Sequence, residues 1–391
     1  MIYKDFKGLR ISQMAFGAMR LPLKSKDNSD IDMEKAAELV DRCMSAGVNY
    51  YDTAWGYHDG RSETAMGELL KRYPRDSFFL ADKFPGYDLA NMTKAEEIFE
   101  EQLRKCQVDH FDFYLIHNVC ETNIEQYLDP QYGIVPYFLE MKKAGRIRHL
   151  GFSCHSNFDN MVRFLDAYGK DMEFCQIQLN YIDYNMQDAK RKVEYLDRAG
   201  IPIWVMEPLR GGKIVPMTEP FMDRLEEIRP GDDSAAWAFR FLQSFPEVVT
   251  ILTGISDMGQ TEEKIRLFSK KDPLSGKEME TLMSVVDEML SQNLVPCTSC
   301  RYCTSHCPMG LDIPSLIDLY NEHRFSKGGF IAPMAVSALP EGKRPDACLG
   351  CGKCEKVCPQ HAIVAVNFPA PKPKPVAAPS EGEGEKETSI N

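Results

Sequence analysis

Eight cysteines crowded into the last quarter of the chain restrict its architecture more than any other feature. Cys297, Cys300, Cys303 and Cys307 form a C-x2-C-x2-C-x3-C run closed by Pro308, and Cys348, Cys351, Cys354 and Cys358 repeat that spacing before Pro359. Three thiolates this close wrap one corner of an iron–sulfur cubane, and the fourth lies one turn further on. Where two such runs share a chain, the fourth cysteine of each ligates the other cluster. The spacing therefore predicts two 4Fe–4S clusters. One would use Cys297, Cys300, Cys303 and Cys358, the other Cys348, Cys351, Cys354 and Cys307, a crossing that staples the two halves together. Structural zinc prefers separated C-x2-C pairs, which the tandem triplets do not resemble.

The other five of the 13 cysteines are scattered and read as small buried hydrophobes. Between the runs, Pro308 to Ala347 spans 40 residues, more than a compact two-cluster module needs. That stretch includes Ile313-Pro314-Ser315-Leu316-Ile317-Asp318-Leu319-Tyr320, a proline-started apolar pattern that predicts a helix. The module thus resembles the helical ferredoxins of reductase subunits more than the small β-rich ferredoxin. After Phe368 the composition turns to Pro, Ala and Lys, then Glu and Gly. Such a tail, 368–391, cannot bury enough apolar surface to order itself.

Net charge is −12 with no basic stripe, which argues against nucleic acid or an anionic membrane surface as partner. No apolar run reaches eighteen residues, and Met1 to Arg10 lacks the apolar core of a secretory signal. A cytoplasmic protein is expected.

Upstream of the cysteine runs, apolar β-rich stretches alternate with helical-period segments about eight times. The strand candidates are Met14–Met19, Asn49–Thr53, Phe78–Phe84, Phe111–Asn118, Ile147–Cys154, Phe174–Asn180, Ile203–Leu209 and Val248–Ile255. Amphipathic segments such as Met33–Ala46, Lys94–Lys105, Asn157–Ala167 and Asp188–Ala199 lie between them, several stopping at glycine as Gly47 and Gly200 do. Eight strand–helix units predict a (β/α)8 TIM barrel over residues 1–285, followed by a mainly helical iron–sulfur domain over 286–367. No G-x-G-x-x-G follows the first strand, against a Rossmann domain.

Barrel chemistry belongs at the C-terminal ends of the strands. There the sequence places Asp52, Tyr57, Lys83 and His117. A strand-end lysine is commonly a solvated charge and a strand-end histidine a packed one, but four complementary groups at one mouth point to catalysis. A tyrosine titrates near 10 and is a weak acid at pH 7. A nearby ammonium lowers it, a carboxylate holds the ammonium, and a histidine steadies a carbonyl oxygen. His58 and Asp59, which follow Tyr57, are candidate pocket liners. Cys120 and Cys154 read as buried structural thiols.

Together with Gly47-Val48-Asn49-Tyr50-Tyr51-Asp52-Thr53-Ala54-Trp55-Gly56-Tyr57, these residues resemble the aldo/keto reductases, over about residues 5 to 285. The resemblance implies Asp52, Tyr57, Lys83 and His117 as the catalytic tetrad, with tyrosine as proton donor beside a nicotinamide that delivers hydride. It also implies cofactor positions. Met19, Ser153 and Gln178 would lie at the nicotinamide end, Pro208 and Leu209 would form the turn after the seventh strand, and Gly254, Ser256, Gln260 and Glu263 would hold the adenosine half. Four departures stand out. Cys154 replaces an asparagine, Met206 replaces the stacking aromatic, Glu207 replaces a serine, and Gln260 replaces a basic residue. NADPH remains the leading cofactor, with NADH next and a flavin left open. Arg210-Gly211-Gly212-Lys213 is a candidate for meeting the diphosphate.

A hydride carries two electrons and a 4Fe–4S cluster accepts one. The leading expectation is an NAD(P)H-linked reductase of a small carbonyl or alcohol, with a ferredoxin or other redox protein as a candidate partner. The alternatives are a ferredoxin-linked reductase whose barrel uses a flavin, and a non-catalytic nucleotide-binding redox sensor.

Overall fold

The computed structural model describes residues 1–297, 299–327, 329–359 and 362–363. The expected tail, 368–391, and the last residues of the expected iron–sulfur domain lie outside them. Two compact units emerge: Met1–Leu294 with Asp318–Ala338, and Val295–Ile317 with the described residues from Leu339 on.

The first unit is the expected barrel. Its strands are β3 Met14–Gly17, β4 Tyr50–Asp52, β5 Phe79–Phe84, β6 Phe111–Val119, β7 Ile147–Cys154, β8 Cys175–Gln178, β9 Ile203–Met206 and β10 Val248–Gly254, all parallel and closed by β10 beside β3. Each lies inside its predicted range or within a residue of it. They are legible because a parallel strand is covered on both faces and becomes a nearly continuous apolar run. Helices Met33–Ser45, Ala95–Cys106, Phe158–Tyr168 and Ala189–Arg198 fill the predicted segments. Asp32 and Asn157 cap two of them by accepting backbone N–H bonds from Lys35 and Asn160.

Two further strands were not expected. β1 Tyr3–Phe6 and β2 Leu9–Ser12 form an antiparallel hairpin. Phe6 and Ile11 from it join the core inside the barrel, with Tyr50, Phe113, Phe174 and Trp204. The Phe6 ring meets Trp204 edge-on at 5.0 Å. A second, larger core lies between the strands and the outer helices.

In the smaller unit the helices Tyr302–His306 and Lys353–Val357 pack together. The core around them includes Val295, Cys303, Leu311, Ile313, Ala362 and Ile363. The predicted helix at Ile313 forms and runs to Ser326. Among the described residues no helix is long and apolar enough to cross a membrane.

Candidate active site and cysteine centre

The four predicted catalytic residues come together at the C-terminal ends of β4, β5 and β6. Lys83, with no exposed surface, donates to Asp52 Oδ1 at 2.6 Å and to the Thr53 carbonyl at 2.6 Å. Burial pulls its ammonium pKa down, but Asp52 and then Tyr57 outweigh that and hold it above its ordinary value. Asp52 is pushed up by burial against the pull of Lys83. The lysine Nζ lies 5.0 Å from the centroid of the Tyr57 ring. Burial raises the Tyr57 phenol, while the charge of Lys83 and a hydrogen bond from it work the other way.

His117 meets Tyr57 edge-on at 6.5 Å between ring centroids. The register of β6 against β7 shifts between Ile116 and Val119, and Asn118 there takes φ +54°. Such bulges re-aim side chains beside functional sites. Burial first, then Lys83 and His155, push the His117 imidazole well below its usual value, so it is neutral at pH 7. Its Nδ1 and the Asp52 Oδ2 are buried without a partner among the described residues.

The positions implied for a nucleotide divide into groups. Met19 and Ser256 line one open groove of about 650 Å3, which Arg20 and His58 share. Ser153 Oγ accepts the Asn118 N–H at 2.8 Å, and Gln178 Nε2 donates to Asp183 Oδ2 at 2.7 Å. Met206 is buried, with Gln176 Nε2 3.5 Å from its sulfur. Pro208 and Leu209 follow β9 beside Glu207, whose φ is +54°. The Arg20 side chain lies across Gly254, 3.3 Å from where a Cβ would stand. Gln260 Nε2 donates to Ser256 Oγ at 3.2 Å. Glu263 is raised by burial and by its neighbour Asp233.

One expectation changes, and one groove-lining residue has a second role. Arg210 is not an open diphosphate cation: it is 4% exposed and its guanidinium bonds Asp183, Glu322 and Ser326. Lys213 donates to the Ser326 carbonyl. Arg210 is thus neutralised within the barrel unit by Asp183 and Glu322, whereas Lys213 remains exposed. His58 is a structural tie. Its Nε2 accepts the Leu21 N–H at 3.1 Å, which leaves Nδ1–H to donate to the Asn28 carbonyl at 2.9 Å.

The smaller unit places Cys297, Cys300, Cys303 and Cys358 around one small hollow. This is the crossed set that the spacing predicts. Among the described residues no three ligand-type side chains converge on a point that one metal ion could fill. Four thiols lining one hollow are the donor set that a cubane takes, each thiolate binding a different iron. The two runs are also backbone twins. Ser299 and Arg301 take φ +54° and +64°, and the matching Gly350 and Gly352 take +63° and +68°. Each run then enters its short helix and ends in an extended cysteine, Cys307 or Cys358. Backbone N–H groups of Gly350 and Ala362 point to Cys348 and Cys358 sulfur at 3.4 Å, bonds that tune such clusters.

Against known proteins, the model of the aldo/keto reductase family matches residues 13–287. The chain belongs to the aldo/keto reductase family. It is an oxidoreductase that also carries a 4Fe-4S dicluster domain, matched over residues 296–363. L-galactose dehydrogenase of Arabidopsis thaliana is 24% identical over 298 residues, covering 71% of this chain and 90% of that protein. NADH-specific methylglyoxal reductase of Escherichia coli K12 is 24% identical over 221 residues, 52% of this chain and 65% of that one. The holo form of aldo-keto reductase AKR11C1 from Bacillus halodurans superposes with a TM-score of 0.59 at 22% identity. It covers 73% of this chain and 96% of that one, which speaks to the fold alone.

Several residues of this reductase's mouth went unremarked in the sequence. Tyr87 meets His117 edge-on at 5.4 Å, and His155 follows β7 with its pKa pulled down to about 4 by burial, then by Lys192 and Lys83. A polar residue just past a strand end was the available signal for His155. Tyr87 sits in a loop and gave none. Asp183 and Asn180 carry no motif and are recognisable only from the hydrogen bonds they share with Gln178 and Glu207.

Proposed function

We propose that this aldo/keto reductase interconverts a small carbonyl compound and its alcohol, with Tyr57 giving the proton to the carbonyl oxygen. The observation that carries the reading is a fully buried Lys83 held 2.6 Å from Asp52 and set against the Tyr57 ring. Bound NADPH or NADH supplies the hydride. Met19, Ser153, Gln178, Met206, Pro208, Leu209, Gly254, Ser256, Gln260 and Glu263 are the residues assigned to hold it. The orphaned buried atoms beside Tyr57 suit a polar reactant there.

Burial alone would keep the phenol proton bound too tightly for transfer. Lys83 opposes this, because its charge favours the phenolate left when the proton moves to the carbonyl oxygen. Asp52 keeps Lys83 charged although it is fully buried. Neutral His117 steadies the carbonyl oxygen without competing for the proton.

The eight cysteines are assigned to two 4Fe–4S clusters in the crossed pattern, supported by the hollow shared by Cys297, Cys300, Cys303 and Cys358. Clusters exchange single electrons, so the hydride step belongs to the barrel residues alone, and a one-electron redox protein is the partner class for the smaller unit.

The test is carbonyl-dependent oxidation of NADPH or NADH by anaerobically purified protein, starting with methylglyoxal and sugar aldehydes, the compound classes in the relatives' names. Tyr57→Phe should lower turnover by about 10²–10⁴-fold. Unchanged turnover in that variant removes Tyr57 as the proton donor.

A further inference from the structure

The Asp318–Ala338 segment, part of the barrel unit though it lies between the two cysteine runs in sequence, reaches Gln178 through an unbroken line of buried polar groups. Glu322, 3% exposed, accepts from Arg210 Nη2 at 2.5 Å and also from Gln187 and Ser326. Arg210 Nε donates to both Asp183 oxygens, at 3.0 and 3.2 Å, and Nη1 donates to Ser326 Oγ at 3.1 Å. The Phe325 ring lies under the guanidinium at 4.8 Å. Asp183 Oδ2 then accepts from Gln178 Nε2 at 2.7 Å and from Asn180 Nδ2 at 2.5 Å.

An amide side chain has one donor end and one acceptor end. With one Nε2 hydrogen committed to Asp183, the Gln178 amide is fixed against flipping, which leaves its Oε1 to face a ligand. A free carboxylate could rotate and release that amide. Asp183 cannot, because Arg210 pins both its oxygens, and Arg210 in turn is pinned by Glu322. A guanidinium presents its donors in a rigid fork, so fixing one end fixes the other.

We propose that Glu322 is a positioning residue for nicotinamide binding: through Arg210 and Asp183 it locks the Gln178 amide with its oxygen presented to the carboxamide N–H of the cofactor. The segment between the cysteine runs thereby becomes part of the barrel's cofactor site. This rests on the assignment of Gln178 to the nicotinamide. Glu322→Ala leaves Arg210 paired with Asp183, so the buried charge keeps a partner, but the fork is free to shift.

The test uses the anaerobically purified full chain and equilibrium binding followed by tryptophan fluorescence. The probes are NADPH and adenosine 2′,5′-bisphosphate, which lacks the carboxamide. E322A should bind NADPH about tenfold more weakly, the scale of one charge-assisted hydrogen bond. E322Q, which keeps the shape and an acceptor, should lose about threefold. Both variants should hold the bisphosphate as the unaltered protein does. Equal weakening of both probes assigns Glu322 a general structural role and overturns the proposal, as does unchanged NADPH affinity. If the unaltered protein binds neither NADPH nor NADH, the nicotinamide reading itself fails and the relay with it.

Discussion

Removing the charge of Asp52 should expose how much of the site depends on one buried ion pair. In Asp52→Asn the Lys83 ammonium keeps an oxygen to bond but loses its counter-charge while remaining wholly buried. Taking one partner from a buried pair costs about 3–5 kcal/mol; the retained hydrogen bond puts the expected loss near the lower end at pH 7. The pH dependence separates this cause from a packing defect. In the unaltered protein Lys83 is raised above its ordinary value, so its contribution is full below an unfolded pKa near 10.4 and is lost only as pH rises through the folded value. Between pH 7 and 9 it is constant. In the variant, burial is unopposed by Asp52 and the folded pKa falls below the unfolded one. Wherever the native lysine is neutral and the unfolded one charged, stability rises by about 1.4 kcal/mol per pH unit. The gap between the two proteins should therefore narrow by as much as about 2.7 kcal/mol from pH 7 to 9. Urea unfolding followed by fluorescence reports the barrel unit, since Trp55, Trp204 and Trp237 all lie there. A gap of equal size at both pH values, or no gap at pH 7, would refute the ion-pair argument.

Cysteine variants should sort by cluster rather than by run. Cys358→Ala should share its residual electron paramagnetic resonance spectrum and iron content with Cys297→Ala, and Cys307→Ala should share them with Cys348→Ala; sorting by run would exclude the crossing. Gly67, on the helix Ser62–Leu70, has space for no side chain, since a Cβ would stand 2.5 Å from the Lys105 carbonyl oxygen. Gly67→Ala should cost about 1–3 kcal/mol in urea unfolding despite alanine's better helix propensity. Gly350→Ala and Gly352→Ala should each cost about 1–2 kcal/mol because both need positive φ. Ser299→Gly should relieve strain at the matching position, read as slower loss of cluster absorbance under a chelator.

The barrel and the cluster of polar residues at its mouth were legible because each left a local trace. Parallel strands are apolar throughout, and Asp52, Lys83 and His117 interrupt that apolarity just where a strand ends. The hairpin Tyr3–Ser12 was missed because Lys4, Asp5, Lys7 and Arg10 dilute its apolar face, and only Phe6 and Ile11 enter the barrel core. Arg210 was misread for a different reason. Its glycine-flanked charge looks like an anion site in isolation, whereas Glu322, one of the two carboxylates that neutralise it, lies over a hundred residues away. The left-handed turns at Gly350 and Gly352 are also a finding of the structure. Ser299 and Arg301 adopt the same turn without glycine.

The twinned turns of the two cysteine runs carry one inequality. Where the second run has Gly352, the first has Arg301, and that side chain borders the hollow ringed by Cys297, Cys300, Cys303 and Cys358, with Asp312 at 3.3 Å offsetting part of its charge. Net charge and solvent around a cluster set its reduction potential, so two clusters held on these twinned backbones are expected to separate in a redox titration, and Arg301→Gly, which makes the first turn match the second, is expected to bring them closer.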